Sequence, residues 1–272
     1  MTNTRFTNTT ITSADGTSIN FYSIGSGPGL VIVHGTFRSA TDYEQLALSL
    51  SGSFTVYIPD RRGRGASGAQ GDEYSLMKEK EDVDAVLKHT GSTFLFGHSF
   101  GGAVALEVAL NNARVKKLAV YEPAVSIDNP LPVHLLPPIH AALANGQNEF
   151  AFVEVMKILS EGSIPESRLT KMAGAIIGSA MWPQFQRLLV TVPAEISAIH
   201  QTHGTYGRYR LLTVPTLLMY GANTQPSVVS DNKTLAGVIP VNKTAAINGA
   251  GHNGPDMEAP ELVAEELKEW FK

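Results

Sequence analysis

Between Thr93 and Leu110 a buried-strand pattern turns directly into a helix pattern through a run of glycines. Thr93-Phe94-Leu95-Phe96 is apolar and β-favouring, Gly97-His98-Ser99-Phe100-Gly101 is the turn, Gly102 continues the close packing, and Phe100 to Leu110 is a small-residue helix. A strand-to-helix turn this tight holds its central residue in a strained conformation and leaves no room for side chains two residues to either side. Gly97 and Gly101 meet that demand. The pattern is a nucleophile elbow: Ser99 is pushed clear of a sheet at a helix N-terminus, where backbone N–H groups favour negative charge. A chain with 25 glycines matches a bare G-x-S-x-G easily, so the strand before and the helix after carry the reading.

An elbow needs a parallel sheet around it. Phe6–Thr12 and Thr17–Ile24 read as strands turned at Asp15-Gly16. Leu30–Val33, Phe54–Ile58, Thr93–Phe96 and Lys117–Tyr121 read as further strands. Helices are predicted between them over Asp42–Leu50 and from an N-cap at Ser75 to His89, with Leu76, Val83, Val86 and Leu87 on one stripe. Such alternation implies parallel pairing through right-handed crossovers. It breaks after Glu122. From Ile127 to Tyr209 the pattern is helical, punctuated by prolines and glycines. Strands return at Pro215–Tyr220 and Lys243–Ile247, and the chain closes with a helix that has Pro260 in its first turn and Leu262, Val263, Leu267, Trp270 and Phe271 as its stripe. The expectation is an α/β core domain built from 1–126 and 210–272, interrupted by a helical cap over 127–209.

Composition narrows the chemistry. An apolar share of 43% against 17% charged fits a large buried core, and the net charge of −4 argues against nucleic-acid or anionic-membrane partners. Cysteine is absent, which excludes disulfides, thiolate metal sites and a cysteine nucleophile. Met1–Asn20 has no apolar core of a signal peptide and no stretch is long enough to span a membrane, so the expected location is cytoplasmic.

A serine nucleophile needs an imidazole base. Of eight histidines, His252 lies in Gly251-His252-Asn253, between the last strand and the last helix, at the sheet edge that carries Ser99. His34-Gly35 follows the strand Leu30–Val33, where the second oxyanion-hole donor belongs; the two donors are expected to be the Thr36 and Phe100 N–H groups, with His34 orienting the loop. His98 is expected to pack under the elbow. His200 and His203 could form a zinc pair, but no third ligand is evident, so neither metal nor cofactor is called for.

His34-Gly35, Asp60-Arg61-Arg62-Gly63-Arg64-Gly65, the elbow and Gly251-His252, in that order, resemble the α/β-hydrolase superfamily across nearly the whole chain, least so over Ile127–Tyr209. The resemblance implies a mostly parallel eight-stranded sheet with helices on both faces, antiparallel pairing of its first strand or two, and an inserted all-helical cap. Arg61, Arg62 and Arg64 read as a solvated loop rather than an anion site.

The acid departs from the family pattern. Many members carry Asp just past the strand matching Thr216–Tyr220, but here the loop reads Gly221-Ala222-Asn223-Thr224-Gln225-Pro226. A neutral side chain there cannot stabilise an imidazolium. Glu122, ending the strand after the elbow, is the candidate, and some dehalogenases and a lactonase in the family place their acid there. Asp128 is the alternative.

Serine rather than Asp at the elbow argues against epoxide hydrolase and dehalogenase chemistry. The expected activity is hydrolysis of a small-to-medium apolar carboxylic ester or lactone through an acyl-enzyme. His34, Phe37, Met156, Met181 and Trp182 are the expected substrate contacts. A C–C bond hydrolase on a diketone, a slow-turnover ligand receptor and a structural protein stay open as alternatives. The expected partner is the small-molecule substrate; a homodimer is compatible with the sequence.

Overall fold

The computed structural model describes residues 6–160, 162 and 164–272. The first residues of the segment read above for a signal peptide lie outside the described ones. The chain divides into two compact units, one running to Ala124 and resuming at Tyr206–Lys272, the other Val125–Thr205.

In the first unit eight strands form one sheet: β1 (Thr7–Thr12), β2 (Ser18–Gly25), β3 (Gly29–Val33), β4 (Thr55–Pro59), β5 (Phe94–His98), β6 (Lys117–Tyr121), β7 (Thr216–Gly221) and β8 (Asn242–Ile247). Their spatial order is β1-β2-β4-β3-β5-β6-β7-β8. β1 pairs antiparallel with β2, and β2 with β4; every other pair is parallel. Helices α1 (Glu44–Leu50), α2 (Leu76–Thr90) and α3 (Phe100–Asn111) fall between the early strands.

Alternation along the strands sorts the core into two layers. Leu30, Ile32, Phe96, Ala119, Tyr121, Leu217 and Met219 join Leu46 and Leu50 of α1 and the C-terminal helix in one cluster. Val31, Val33, Leu95, Leu118 and Val120 are buried but stand outside it, and α2 packs on α3. Both faces are covered, so the central strands read as continuous apolar runs. Ser75 caps α2 by accepting the Lys78 N–H at 3.4 Å, and Leu76, Val83, Val86 and Leu87 are buried as the stripe required.

The second unit carries α4 (Leu136–Ala144), α5 (Asn148–Leu159), α6 (Glu166–Ile177), α7 (Trp182–Leu189) and α8 (Val192–His200). The first unit ends with α9 (Pro226–Val238) and α10 (Pro260–Phe271).

One local expectation is corrected, and one helix is unexpected. Leu262 is 44% exposed and is not part of the buried face of α10, which is Val263, Ala264, Leu267 and Phe271. Helix α9 has no counterpart in the sequence pattern, because it buries only Asn232 and Leu235 and shows almost no apolar stripe. Among the described residues no helix is long and apolar enough to cross a membrane.

Candidate active site

Each parallel strand delivers its next residue to the same sheet edge. β5 ends at His98 and the following Ser99 has φ 54° and ψ −121°. A Cβ at Gly101 would lie 2.2 Å from Val33 O, and one at Gly97 would lie 2.3 Å from Gly101 O, so only glycine closes this turn. The Ser99 N–H donates to Tyr121 O at 2.9 Å, and Ser99 O accepts the Ala124 N–H at 2.9 Å, which ties the elbow to the end of β6.

Besides Ser99, the non-glycine residues with positive φ among those described are Phe37 (59°) and Glu122 (43°). All three stand just past the ends of β3, β5 and β6. Such conformations are held only where surrounding structure over-determines them, and they cluster at working sites.

Glu122 is buried, and its carboxylate is fully engaged. Oε1 accepts the Gly221 N–H at 2.8 Å. Oε2 accepts the Thr224 hydroxyl at 3.0 Å and lies 2.7 Å from His252 Nδ1. The loop that lacks a carboxylate therefore supplies two donors to the carboxylate of the neighbouring strand. Asp128 is exposed in the second unit.

The His252 side chain is 48% exposed, which leaves its ring open on the side away from Glu122. Its carbonyl accepts from His98 Nε2 at 2.8 Å. The Tyr43 hydroxyl donates to His98 Nδ1, and its oxygen accepts the Gly35 N–H at 3.2 Å. A single chain of bonds thus links the loop after β3, the elbow and the His252 loop. Burial, then the neighbouring His252 and Arg38 charges, hold the His98 imidazole well below its ordinary value, so it is neutral. Arg38 pairs with Asp256 and donates to Asn253 Oδ1 at 3.2 Å, a second tie between the same two loops.

The loop after β3 passes beside the serine: a Cβ on Gly35 would sit 3.1 Å from Ser99 Cβ. Among the described residues the Thr36 and Phe100 amides have no hydrogen-bond partner. His34 is wholly buried, with Nε2 accepting the Arg61 N–H at 3.1 Å and Nδ1 3.0 Å from Gly35 O. Those neighbours put its proton on Nδ1. Desolvation, then Arg61 and Arg64, keep the ring well below its ordinary value and neutral. With no face open, the ring holds its loop and does not present itself to a substrate. Phe37 is 5% exposed.

The remaining expected contacts lie in the second unit. Met156 is half-buried on α5 and Met181 is 39% exposed. Trp182 packs edge-on against Phe152 and lines an open cavity of about 590 Å³ with Phe150 and Gln186. His200 Nδ1 donates to Leu131 O at 2.8 Å, and His203 Nδ1 pairs with the Ser126 hydroxyl at 3.0 Å.

The solvated basic loop is overturned. Arg61, Arg62 and Arg64 are each 2% exposed. Arg61 makes a two-point pair with Glu79, its Nε 3.1 Å from Oε2 and its Nη2 2.8 Å from Oε1. Arg62 makes one with Asp82 at 2.7 Å on both arms. Arg64 Nη1 donates to Arg62 O at 3.3 Å, and all three arginines are interior structure.

A model of the alpha/beta hydrolase family matches residues 30–266. A non-heme haloperoxidase of Rhodococcus erythropolis is 30% identical over 232 residues, 79% of this chain and 81% of that protein. An alpha/beta hydrolase from Sphaerobacter thermophilus superposes with a TM-score of 0.86 at 29% identity, over 97% of this chain and 100% of that one. A thermophilic esterase from Thermogutta terrifontis shares the fold at a TM-score of 0.75 and 22% identity, over 97% and 98% of the two chains. The sheet order, the elbow at its edge and a family match across nearly the whole chain agree: this protein belongs to the α/β hydrolase family.

Proposed function

We propose that the protein is a serine hydrolase that cleaves a small-to-medium apolar carboxylic ester or lactone through an acyl-enzyme intermediate. Ser99 Oγ attacks the carbonyl carbon while His252 Nε2 takes its proton. Glu122 accepts the Nδ1–H of the same ring and stabilises the imidazolium. The Thr36 and Phe100 N–H groups receive the oxyanion. His252 then gives the proton to the departing alkoxide, and the ester C–O bond breaks. Water attacks the acyl-enzyme with His252 as base, the second tetrahedral intermediate collapses, and Ser99 recovers its proton.

The observation that carries this reading is the 2.7 Å contact between Glu122 Oε2 and His252 Nδ1, with the other carboxylate oxygen fixed by the Gly221 N–H. A serine elbow supports acyl transfer, whereas an alkyl-enzyme ester needs a carboxylate at that position. The apolar side chains of the second unit and the esterase activity of a protein with this fold support the substrate class.

The test is labelling by a fluorophosphonate probe, beside turnover on p-nitrophenyl esters from acetyl to octanoyl and on simple lactones. The reading expects labelling that Ser99→Ala abolishes and turnover that favours one range of acyl length. No labelling and no turnover in the wild type would overturn it.

A further inference from the structure

We infer that Arg61 is a positioning residue for the oxyanion hole, acting together with His34 on the peptide group that carries the Thr36 N–H. The inference rests on the catalytic reading proposed above and deepens it.

The Thr36 N–H belongs to the same planar amide as Gly35 C=O. Gly35 O is bonded by His34 Nδ1 at 3.0 Å and approached by Arg61 Nη1 at 3.3 Å. Arg61 Nη1 also reaches His34 O at 3.4 Å, and the Arg61 N–H fixes the His34 tautomer through Nε2. Two donors on one carbonyl set the plane of the peptide and so the direction of its N–H. They also draw electron density toward the oxygen, which makes the N–H a stronger donor; this cooperative gain is about 10–30% per bond. The residue that carries the second donor packs on the same side chain. The Arg61 guanidinium lies 4.2 Å over the Phe100 ring, and Phe100 is the residue that opens α3 with its unpaired N–H. One side chain therefore bonds the peptide of the first donor and packs on the ring of the residue that carries the second.

The surroundings hold the guanidinium in place. Glu79 takes its other two edges, and Tyr74 Oη, 3.1 Å from Nη2, donates in turn to Glu79 Oε1 at 2.7 Å. The side chains of Arg61 and Glu79 are 1% and 0% exposed. A buried ion pair is a poor way to stabilise a core, since an apolar pair of similar size commonly does as well. The Arg62–Asp82 pair is buried as well, so burial alone assigns no role; what sets Arg61 apart is its reach to His34 O and Gly35 O of the oxyanion loop. Arg62 is the internal contrast: it sits one residue on, and its guanidinium donates to Asp82 and Asp15.

The experiment compares Arg61→Met/Glu79→Gln, which removes the pair without stranding a charge, with Arg62→Met/Asp82→Asn as its matched control. The readouts are kcat and KM on p-nitrophenyl butyrate, affinity for a trifluoromethyl ketone that forms an oxyanion on Ser99, and the 15N–1H resonance of the Thr36 amide. The Arg61 variant is expected to lose about 10–100-fold in kcat. Its KM stays within about twofold, its ketone affinity falls in parallel with kcat, and its Thr36 amide moves upfield. The control keeps kcat, KM and ketone affinity within about twofold of wild type and leaves the Thr36 resonance in place. If the double variant does not fold, Arg61→Lys keeps the charge beside Glu79 but loses the fork, and is expected to show the same kcat loss in milder form.

An Arg61 variant with unchanged kcat and an unmoved Thr36 amide overturns the inference, as does an equal loss in the control. If the wild type shows neither turnover nor labelling at Ser99, the catalytic reading is what fails. The amide resonance alone then decides whether Arg61 braces that peptide.

Discussion

Glu122 Oε2 lies 2.7 Å from His252 Nδ1, across 130 residues of sequence. β6 and β7 run parallel, with Tyr121 opposite Met219, so their ends lie side by side at the sheet edge. A carboxylate at the end of either strand is within reach of the same imidazole. Here it comes from β6, and the β7 loop keeps a supporting part through the Gly221 N–H and the Thr224 hydroxyl.

Thr224→Val removes one of those supports and leaves the backbone donor in place. Hydrogen bonds to a charged group contribute about 1.5–3 kcal/mol, and part of this is recovered by water at the half-exposed loop. The expected loss in kcat is about 3–10-fold, with the unfolding midpoint little changed. Wild-type turnover in this variant would show that the hydroxyl does not orient the acid.

Ser99 sits in a backbone region that side chains rarely adopt, at φ 54° and ψ −121°. Ser99→Ala keeps that strain and Ser99→Gly releases it. Both are expected to be inactive, with the glycine variant more stable than the alanine variant by about 1 kcal/mol after its extra chain entropy is allowed for. Denaturant titration of the two variants reads the difference; an alanine variant that is the more stable would contradict the strain.

His34 and His98 are buried with their pKa values held well below 6.5. The folded chain keeps them neutral, while the unfolded chain protonates them once the pH drops below about 6.5. The unfolded state then binds more protons, so their contribution is complete above that pH and is lost as the pH falls below it. His98→Gln should flatten the fall in stability between about pH 6 and pH 5 by up to ~1.4 kcal/mol per pH unit. Chemical denaturation at a series of pH values measures this, and identical slopes in wild type and variant would refute it.

Legibility in the sequence followed the range of each constraint. The elbow was readable because its demands fall within five residues, Gly97 to Gly101, and its flanking strand and helix follow from local pattern. The buried arginines were not. Arg61 and Arg62 find their partners 18 and 20 residues later, on one face of α2, and a charge run looks solvated until those partners are known. The bond from His98 to the His252 carbonyl spans 154 residues, so sequence could suggest that His98 packs under the elbow but not that it joins two loops. Helix α9 escaped because a helix that buries two residues has almost no periodicity to detect.

The proposed chemistry turns on Glu122 as the acid that serves His252. Its most direct test is kcat of Glu122→Gln beside wild type on a p-nitrophenyl ester, with the unfolding midpoint of both measured in the same buffer. The amide keeps the size of the side chain and its bond from the Gly221 N–H but cannot stabilise an imidazolium. The predicted result is a fall of about 10³–10⁴-fold in kcat with the fold intact. A loss under about tenfold in a folded variant would contradict the account.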